Sequence, residues 1–471
     1  MPTQNIIHEG TFRPEQEKTY IHLPFEVPAG ATRLQVEYDY SNRIGSSPHL
    51  RGGNTIDLGL FDSRGIDYLQ AGFRGWSGSE RLSVSIGEAE ATPGYLAGPL
   101  PPGRWHVMLG LYKIAPEGCS YRVEIAVSIE PERPPAAEQL VPTVSLPSSP
   151  PRAPFAPWLR GELHCHTWHS DGDGSPLERV LLARERGLDF LAVTDHNTTS
   201  SQLELVGLAD PGLIVIPGME ITTFKGHFNA WGIRDWVDFR VQQPEDMIAS
   251  IRFAAEHGAL VSCNHPKPFG PPWEYEEVSG YQCIEVWNGP WYVLNEASLD
   301  FWLRQLASGQ RLPAVGGSDY HRKSQLAEIP PRAPGTPTVW AYVPGASDAQ
   351  SILDAIRQGH VSLSDEPDGP FLDLRAGAGS IALCGDALPR PEDGQLPIHV
   401  HCQHGASCRL QLLDQAGVLL ERTIASSDET VVAELPVARS QYVRAELRDR
   451  AGTMKALTNP VYLGHDERQR S

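Results

Sequence analysis

Apolar and polar positions change rhythm twice along the chain. Up to about residue 130, short apolar runs recur between Gly and Pro turns: Leu34-Gln35-Val36-Glu37-Tyr38, Ile56-Asp57-Leu58-Gly59-Leu60-Phe61 and Trp105-His106-Val107-Met108-Leu109-Gly110. Leu34, Val36 and Tyr38 alternate with polar neighbours, the period-two pattern of a half-buried strand. This predicts a β-sandwich over residues 1–130, packed on its neighbour or mediating oligomerisation. Residues 131–157 hold nine prolines in 27 positions, the composition of a semi-rigid extended linker.

From Trp158 strands and helices alternate. Ser175-Pro176-Leu177-Glu178 is a capping box with Pro at the first helical position, and its helix should run to Gly187. Leu188–Val193 follows as a strand. Pro244–His257 and Asn295–Ser308 read as helices closed by Gly258 and Gly309, each leading into an apolar strand. Ser347-Asp348-Ala349-Gln350 is another capping box, for a helix ending before Gly359. Helix, glycine, apolar strand and polar station is the grammar of a parallel βα barrel, in which chemistry sits at the C-terminal strand ends. After about Asp365 the helices stop. Leu410–Leu420 reads as a hairpin, and Val443, Ala445 and Leu447 alternate with charged residues, so residues 366–463 predict a second small β-sandwich before a charged tail, 464–471.

The polar stations carry the candidate chemistry. His164 and His166 are spaced i, i+2, so both imidazoles point from one strand face. Asp171, His196, Glu220, His227, His265, Asp319 and His321 follow at the ends of, or just after, apolar runs. Six of the chain's 17 histidines and three carboxylates thus fall in one segment, and these are the ligand types of divalent metals. His169 lies among them as a possible supporting group. Lys267, Arg322 and Asn288 are candidates for polar substrate contacts. Trp287, Phe269, Trp273, Trp291 and Tyr292 are candidates for an aromatic rim or for core. Two patterns are decoys. His399, His401, His404 and Cys408 cluster without a carboxylate, and Asp171-Gly172-Asp173-Gly174-Ser175 lacks the glutamate that closes a calcium loop.

Composition narrows the classes. With 58 acidic against 39 basic residues the formal charge is −19, which disfavours non-specific nucleic-acid binding. A small-molecule substrate is expected, with no nucleic-acid and no membrane partner, and a homo-oligomer through the β domains is possible. No apolar leader follows Met1 and no run approaches the roughly 18 residues of a membrane span. Seven scattered cysteines make no disulfide framework, so a cytoplasmic protein with reduced thiols is the expectation.

At these stations, over residues 160–365, the sequence resembles the PHP (polymerase and histidinol phosphatase) family. Its motifs occur in order: His164-Cys165-His166 with Asp171, Thr194-Asp195-His196, Glu220, Gly226-His227, Asn264-His265-Pro266 and Gly317-Ser318-Asp319-Tyr320-His321. Glu220-Ile221-Thr222, Val286-Trp287-Asn288-Gly289 and Thr458-Asn459-Pro460-Val461-Tyr462 are similar to its CehA/McbA-like branch, named for carbamate-pesticide hydrolases. The resemblance implies a distorted seven-stranded (β/α) barrel over 158–365 that binds two or three divalent ions (Zn, Mn or Fe). It implies one ion on His164, His166, Glu220 and Asp319, a second on Glu220, His227 and His265, and a third on Asp171, His196 and His321. Asp171 stands where the histidinol phosphatase branch often has His. Glu220, His196, Asp319 and His321 are the expected catalytic residues. The expected reaction is hydrolysis by a hydroxide shared between two cations about 3.5–4 Å apart, on a small phosphoester. Carbamate, ester or amide hydrolysis is the alternative chemistry, and a non-catalytic scaffold the third reading.

Overall fold

The computed structural model describes residues 4–129 and 157–464, apart from 209–211, 269, 271, 346 and 379–380. Phe269, all of the Pro-rich stretch except Pro157, and all but the first residue of the tail lie outside the described residues.

The N-terminal alternation forms strands as expected. Arg33–Tyr40 buries every second residue. It lies in a four-stranded antiparallel sheet ordered Gln4–Phe12, Cys119–Ser128, Arg33–Tyr40, Ser83–Gly87. A second sheet runs Tyr20–Val27, Gly103–Lys113, Thr55–Phe61, Phe73–Gly78. Leu34, Val36, Leu58, Trp105 and Val107 from both sheets share one buried cluster. The second sheet also packs on the central region: Phe73 stacks on Trp236 at 4.2 Å between ring centroids, and Phe61, Trp76 and Met108 belong to the central core.

The central sheet runs Ala314–Gly317, Cys283–Asn288, Leu260–Cys263, Gly226–Trp231, Ile214–Thr223, Phe190–Val193, Trp158–Glu162, Thr338–Tyr342, Val361–Ser364. Trp158–Glu162, Phe190–Val193 and Ile214–Thr223 pair in parallel, as do the three strands from Leu260 to Gly317. Gly226–Trp231 is antiparallel to both its neighbours, which corrects the expectation of strict strand–helix alternation. Only two residues separate it from Ile214–Thr223, too few for a crossover, and a hairpin needs no helix. Beyond the strand ends, Cys165 bridges Tyr320 in parallel, so the chain after the first central strand touches the chain after Ala314–Gly317.

The expected helices form at Pro176–Glu185, Pro244–Glu256, Asn295–Ala307 and Ala349–Gln358. The Ser175 capping box is present. The last helix is capped by Asp348, whose carboxylate accepts from Ser351 N at 2.7 Å, one residue later than the box read from Ser347. Gly359 ends it with φ +80°, the left-handed position a helix stop takes most readily with glycine. Ser201–Gly207 is a short helix the periodicity did not predict. No described helix is long and apolar enough to cross a membrane.

The C-terminal strands lie in two layers, only one of which is a sheet of its own. Ala382–Leu383, Phe371–Ala376, Gln395–Gln403 and Asp428–Pro436 form a sheet of their own. Met454–Thr458, Tyr442–Arg448, Arg409–Asp414 and Gly417–Thr423 instead continue the central sheet, through antiparallel pairing of Met454–Thr458 with Val361–Ser364. The two layers share a buried cluster that includes Leu374, Val400, Leu412 and Leu447. Alternation defined these strands, but it carries no information about which edge they join.

Candidate metal centre

The stations meet because the first and last are hydrogen-bonded to each other. His166 N donates to Tyr320 O at 3.0 Å and Asp319 N to His164 O at 2.8 Å. This sets the i, i+2 pair His164/His166 beside the pair Asp319/His321. Glu220 leaves the middle of Ile214–Thr223, and its backbone is bridged to His196. Asp319, His265 and Asn197 hold φ of +53°, +29° and +58°. Such left-handed non-glycine residues cost energy and concentrate at functional sites.

All nine predicted ligands converge. They form four overlapping groups whose donor atoms lie within 4.8 Å of one another: His164/His166/Asp319, His164/Glu220/His265, His196/Glu220/His227 and His166/Asp171/His196/His321. Glu220 is two-sided. Its Oε2 faces His196 Nδ1 at 2.8 Å, His164 Nε2 at 3.3 Å and His166 Nε2 at 3.5 Å. Its Oε1 faces His227 Nδ1 at 3.1 Å and His265 Nε2 at 3.4 Å, and accepts from Asn264 Nδ2 at 2.9 Å. His196 is two-sided as well, with Nε2 3.5 Å from Asp171 Oδ1. It therefore belongs to two groups rather than to the single set that the resemblance implied. Asp319 Oδ1 lies 3.1 Å from His166 Nε2, and Asp171 Oδ1 3.2 Å from His321 Nε2.

Burial would lower His164, His196 and His321, but the carboxylates facing them overcome it and raise all three, so a bound cation would displace their protons. Glu220, Asp319 and His166 already stand in the form that binds cations. Burial alone would raise the Glu220 and Asp319 carboxyls, but the surrounding imidazoles overcome it and hold both well below the usual carboxylate range. Burial, then the neighbouring His321 and His196, lower His166 to about 3, leaving a neutral donor. His164 Nε2, His166 Nδ1, Asp171 Oδ1, Glu220 Oε2, His227 Nε2 and His265 Nδ1 are all buried and have no hydrogen-bond partner. Orphaned buried polar atoms cost roughly 1–3 kcal/mol each. Six of them in one cluster of imidazoles and carboxylates fit divalent cations, whose coordination would satisfy them.

A supporting ring holds the ligands in place. Glu285 accepts from His265 N at 3.0 Å and Asn288 Nδ2 at 3.2 Å, and its Oε1 is 2.8 Å from His164 Nδ1. Glu162 accepts from the backbone N–H groups of His164, Ser318 and Gly335. Asp195 accepts from Thr167 N, Thr167 Oγ1 and Ser170 Oγ. Glu285 went unnoticed in the sequence, although a charged residue inside Cys283-Ile284-Glu285-Val286-Trp287 is the signal that would have found it.

Several candidates for substrate contact are placed elsewhere. Lys267 is buried, and its Nζ donates to Asn288 O at 2.9 Å and Asn295 Oδ1 at 3.0 Å; burial lowers it to about 7. Asn288 spends its amide on Glu285. Trp287 is core, 1% exposed, edge-on to Trp291 at 4.8 Å. In all three the side chain turns into the scaffold rather than toward the cluster. Arg322 is exposed, 3.9 Å from Glu80. Trp273 packs against Tyr275 and Tyr281, and Tyr292 lies on the surface. The cation beside the cluster is instead Arg332: its NH1 is 3.9 Å from Asp319 Oδ2, and its buried Nε has no hydrogen-bond partner. His169 ties elements together through Ser200, Gly94 N and Glu204. His401 pairs with Asp428 at 2.9 Å, and no metal-type group forms there among the described residues.

The N-terminal sheet supplies one wall of the site, which the sequence did not signal. Trp76 lies edge-on to His196 at 6.4 Å. A cavity of about 200 Å³ opens between Trp76, Asp57, Tyr20 and Tyr112 on one side and Asp171, His196 and His227 on the other.

No family model matches the chain. Over 120 residues it is 28% identical to the uncharacterized protein MJ1587 of Methanocaldococcus jannaschii, which covers 23% of this chain and 68% of that protein. Over 63 residues it is 40% identical to a 5′-3′ exoribonuclease of Haemophilus influenzae, covering 13% of this chain and 23% of the enzyme, so the match spans under a quarter of that relative. Among solved structures it is similar to a two-domain protein from Bacteroides vulgatus containing a predicted PHP-like metal-dependent phosphoesterase. That likeness has 18% identity and a TM-score of 0.39, and covers 64% of this chain and 95% of the other.

Proposed function

We propose that the protein is a metal-dependent hydrolase of small phosphoesters, with residues 158–365 as a PHP-type catalytic barrel. The observation that carries this is the convergence of nine imidazole and carboxylate side chains, with the two-sided Glu220 facing five of the imidazoles and six buried atoms of the set unpartnered. Two or three ions of the Zn, Mn or Fe type would be held by the nine residues grouped above. Divalent cations bound there would acidify water and polarise the bond to be cut. The chain's own residues do the rest. Glu285 fixes the tautomer and orientation of His164, because its carboxylate faces Nδ1 and leaves Nε2 for the centre. Glu220 and Asp319 hold negative charge against the imidazoles at any ordinary pH. Arg332 places its NH1 3.9 Å from Asp319 Oδ2 at the edge of the cluster, and a guanidinium is a cation suited to a phosphoryl oxygen.

Arg332 favours phosphorus over a carbonyl carbon, since a carbamate or ester develops charge on a single oxygen and needs fewer donors. The name of the 40% identical relative, an exoribonuclease, supports the same preference. Metal-replete protein assayed on phosphomonoesters, phosphodiesters and aryl carbamates should turn over a phosphoester, with competition by inorganic phosphate. Chelation should abolish turnover. Arg332→Gln should lower phosphoester kcat/KM by about 10–100-fold, the worth of a charge-assisted hydrogen bond. Turnover of carbamates alone, unchanged by Arg332→Gln, would establish the carbonyl reading instead.

A further inference from the structure

The cavity beside the metal centre has a chemistry of its own. Among the described residues that line it there is no lysine or arginine, although it opens onto a centre proposed to bind an anion. Its charged lining residues outside the centre are the carboxylates Asp57 and Glu80. Glu80 has Arg322 within 3.9 Å. The Asp57 carboxylate makes no hydrogen bond or ion pair among the described residues. Burial pushes it up to about 7.

The strand register explains how Asp57 comes to face open space. Tyr20, Gly110 and Asp57 sit opposite one another on three neighbouring strands. A side chain at Gly110 would begin 3.2 Å from Asp57 Cβ and 3.4 Å from the Tyr20 ring, so the glycine leaves a trough between them. Tyr112 lies two residues further along the same strand and therefore on the same face. Phe224, from the turn after Ile214–Thr223, stacks on Tyr20 at 4.9 Å and on Tyr112 at 6.1 Å. Lys113, the ammonium next to Tyr112, is held by the carbonyls of Gly45 and Ser47 and does not pair with Asp57. The result is a lone carboxylate at an aromatic wall, one cavity-width from His196 and His227.

We propose that this cavity is a specificity subsite for a positively charged alkylammonium group of the substrate, with Asp57 as its counter-ion. The inference rests on the hydrolase reading only in assuming that the rest of the same substrate reaches the metal centre. A carboxylate beside apolar rings is poorly solvated, so a cation arriving there recovers more than it would at an open surface. An organic cation also suits aromatic neighbours better than a strongly hydrated ion does. The substrate would carry its two charges apart: the phosphoryl group over the imidazoles and Arg332, the ammonium against Asp57. The acidic cavity would reject a doubly anionic ligand that tried to enter the other way round.

The test uses the full chain and two probes of one shape, choline and its neutral carbon isostere 3,3-dimethylbutan-1-ol. Calorimetry on metal-free protein should show choline bound at least about tenfold more tightly than the alcohol. Asp57→Asn should erase that difference, and Tyr112→Leu should weaken choline several-fold. In turnover, an ammonium-bearing phosphoester should exceed its neutral isostere in kcat/KM by on the order of 10–100-fold, the range of a charge-assisted contact. Equal binding of the two probes, or choline binding unchanged in Asp57→Asn, would overturn the proposal even if phosphoesters are hydrolysed. Selective choline binding without hydrolysis of any phosphoester would leave the subsite standing and remove the hydrolase reading.

Discussion

The chain flanks its central sheet with two β regions that look alike in sequence and serve differently. The N-terminal region packs face-on through its second sheet: Phe73 and Trp76 enter the central core, and Tyr20, Asp57 and Trp76 reach the cavity beside the candidate metal centre. The C-terminal strands join edge-on. Met454–Thr458 extends the ladder of Val361–Ser364, and Asn459 bonds Ala314 O at 2.9 Å, Val361 O at 3.2 Å and, through its Oδ1, Ala314 N. None of the residues lining the cavity comes from this region. A face-on partner projects side chains toward the centre, whereas an edge-on partner offers its backbone to the ladder and its side chains to its own core.

The comparison breaks most sharply if chemistry resides in the C-terminal region. Glu220→Gln should lose bound metal and about 10³-fold in kcat/KM, since Glu220 faces five imidazoles and metal polarisation is worth several kcal/mol. His401→Ala should change neither, and a fall in metal content there on elemental analysis would move the centre. Glu285→Gln tests the supporting ring. The loss of a carboxylate behind a ligating histidine should weaken metal affinity by about 10–100-fold, read by competition with a chelating dye.

The edge-on join should matter for stability alone. Asn459→Ala removes the side-chain partners of the Ala314 N–H and C=O, so denaturant unfolding should show a loss of about 1–3 kcal/mol. Its kcat/KM at a permissive temperature should stay within twofold of wild type; a larger change would tie this edge to the site.

The smallest effect concerns the face-on wall. The folded-state pKa of Asp57 is raised from 3.8 to about 7 by burial. Its contribution is fully present below the unfolded value and is lost as pH rises through about 7, where the native state must hold an unpaired carboxylate. Asp57→Asn should therefore match wild type near pH 4 and exceed it near pH 8. The expected gain is on the order of 1 kcal/mol once partial exposure to the cavity is allowed for. A pH-independent difference in melting temperature would show that Asp57 already has a partner.

The sequence by itself determined what depends on neighbours along the chain. Spacing of i, i+2 put His164 with His166 on a common face, and Ser175, Gly258 and Gly359 marked helix ends, because strand pleat and helix caps are local geometry. The convergence of nine ligands was legible for the same reason, since each stands at or near the end of an apolar run. Tertiary structure alone decided which cation faces the centre. Lys267 and Arg322 are the cations the sequence offers, yet the Asn288 carbonyl and the Asn295 amide engage the first, the second lies exposed beside Glu80, and Arg332 stands 3.9 Å from Asp319. It also decided that Gly226–Trp231 turns back as a hairpin, that the C-terminal strands prolong the central sheet, and that Asp57, over a hundred residues before the first ligand, faces the cavity beside it. Those outcomes depend on which edges pair and which faces meet. Backbone hydrogen bonds form with any strand of suitable register, so the hydrophobic pattern selects a face to bury but leaves the partner to the packing of the whole chain.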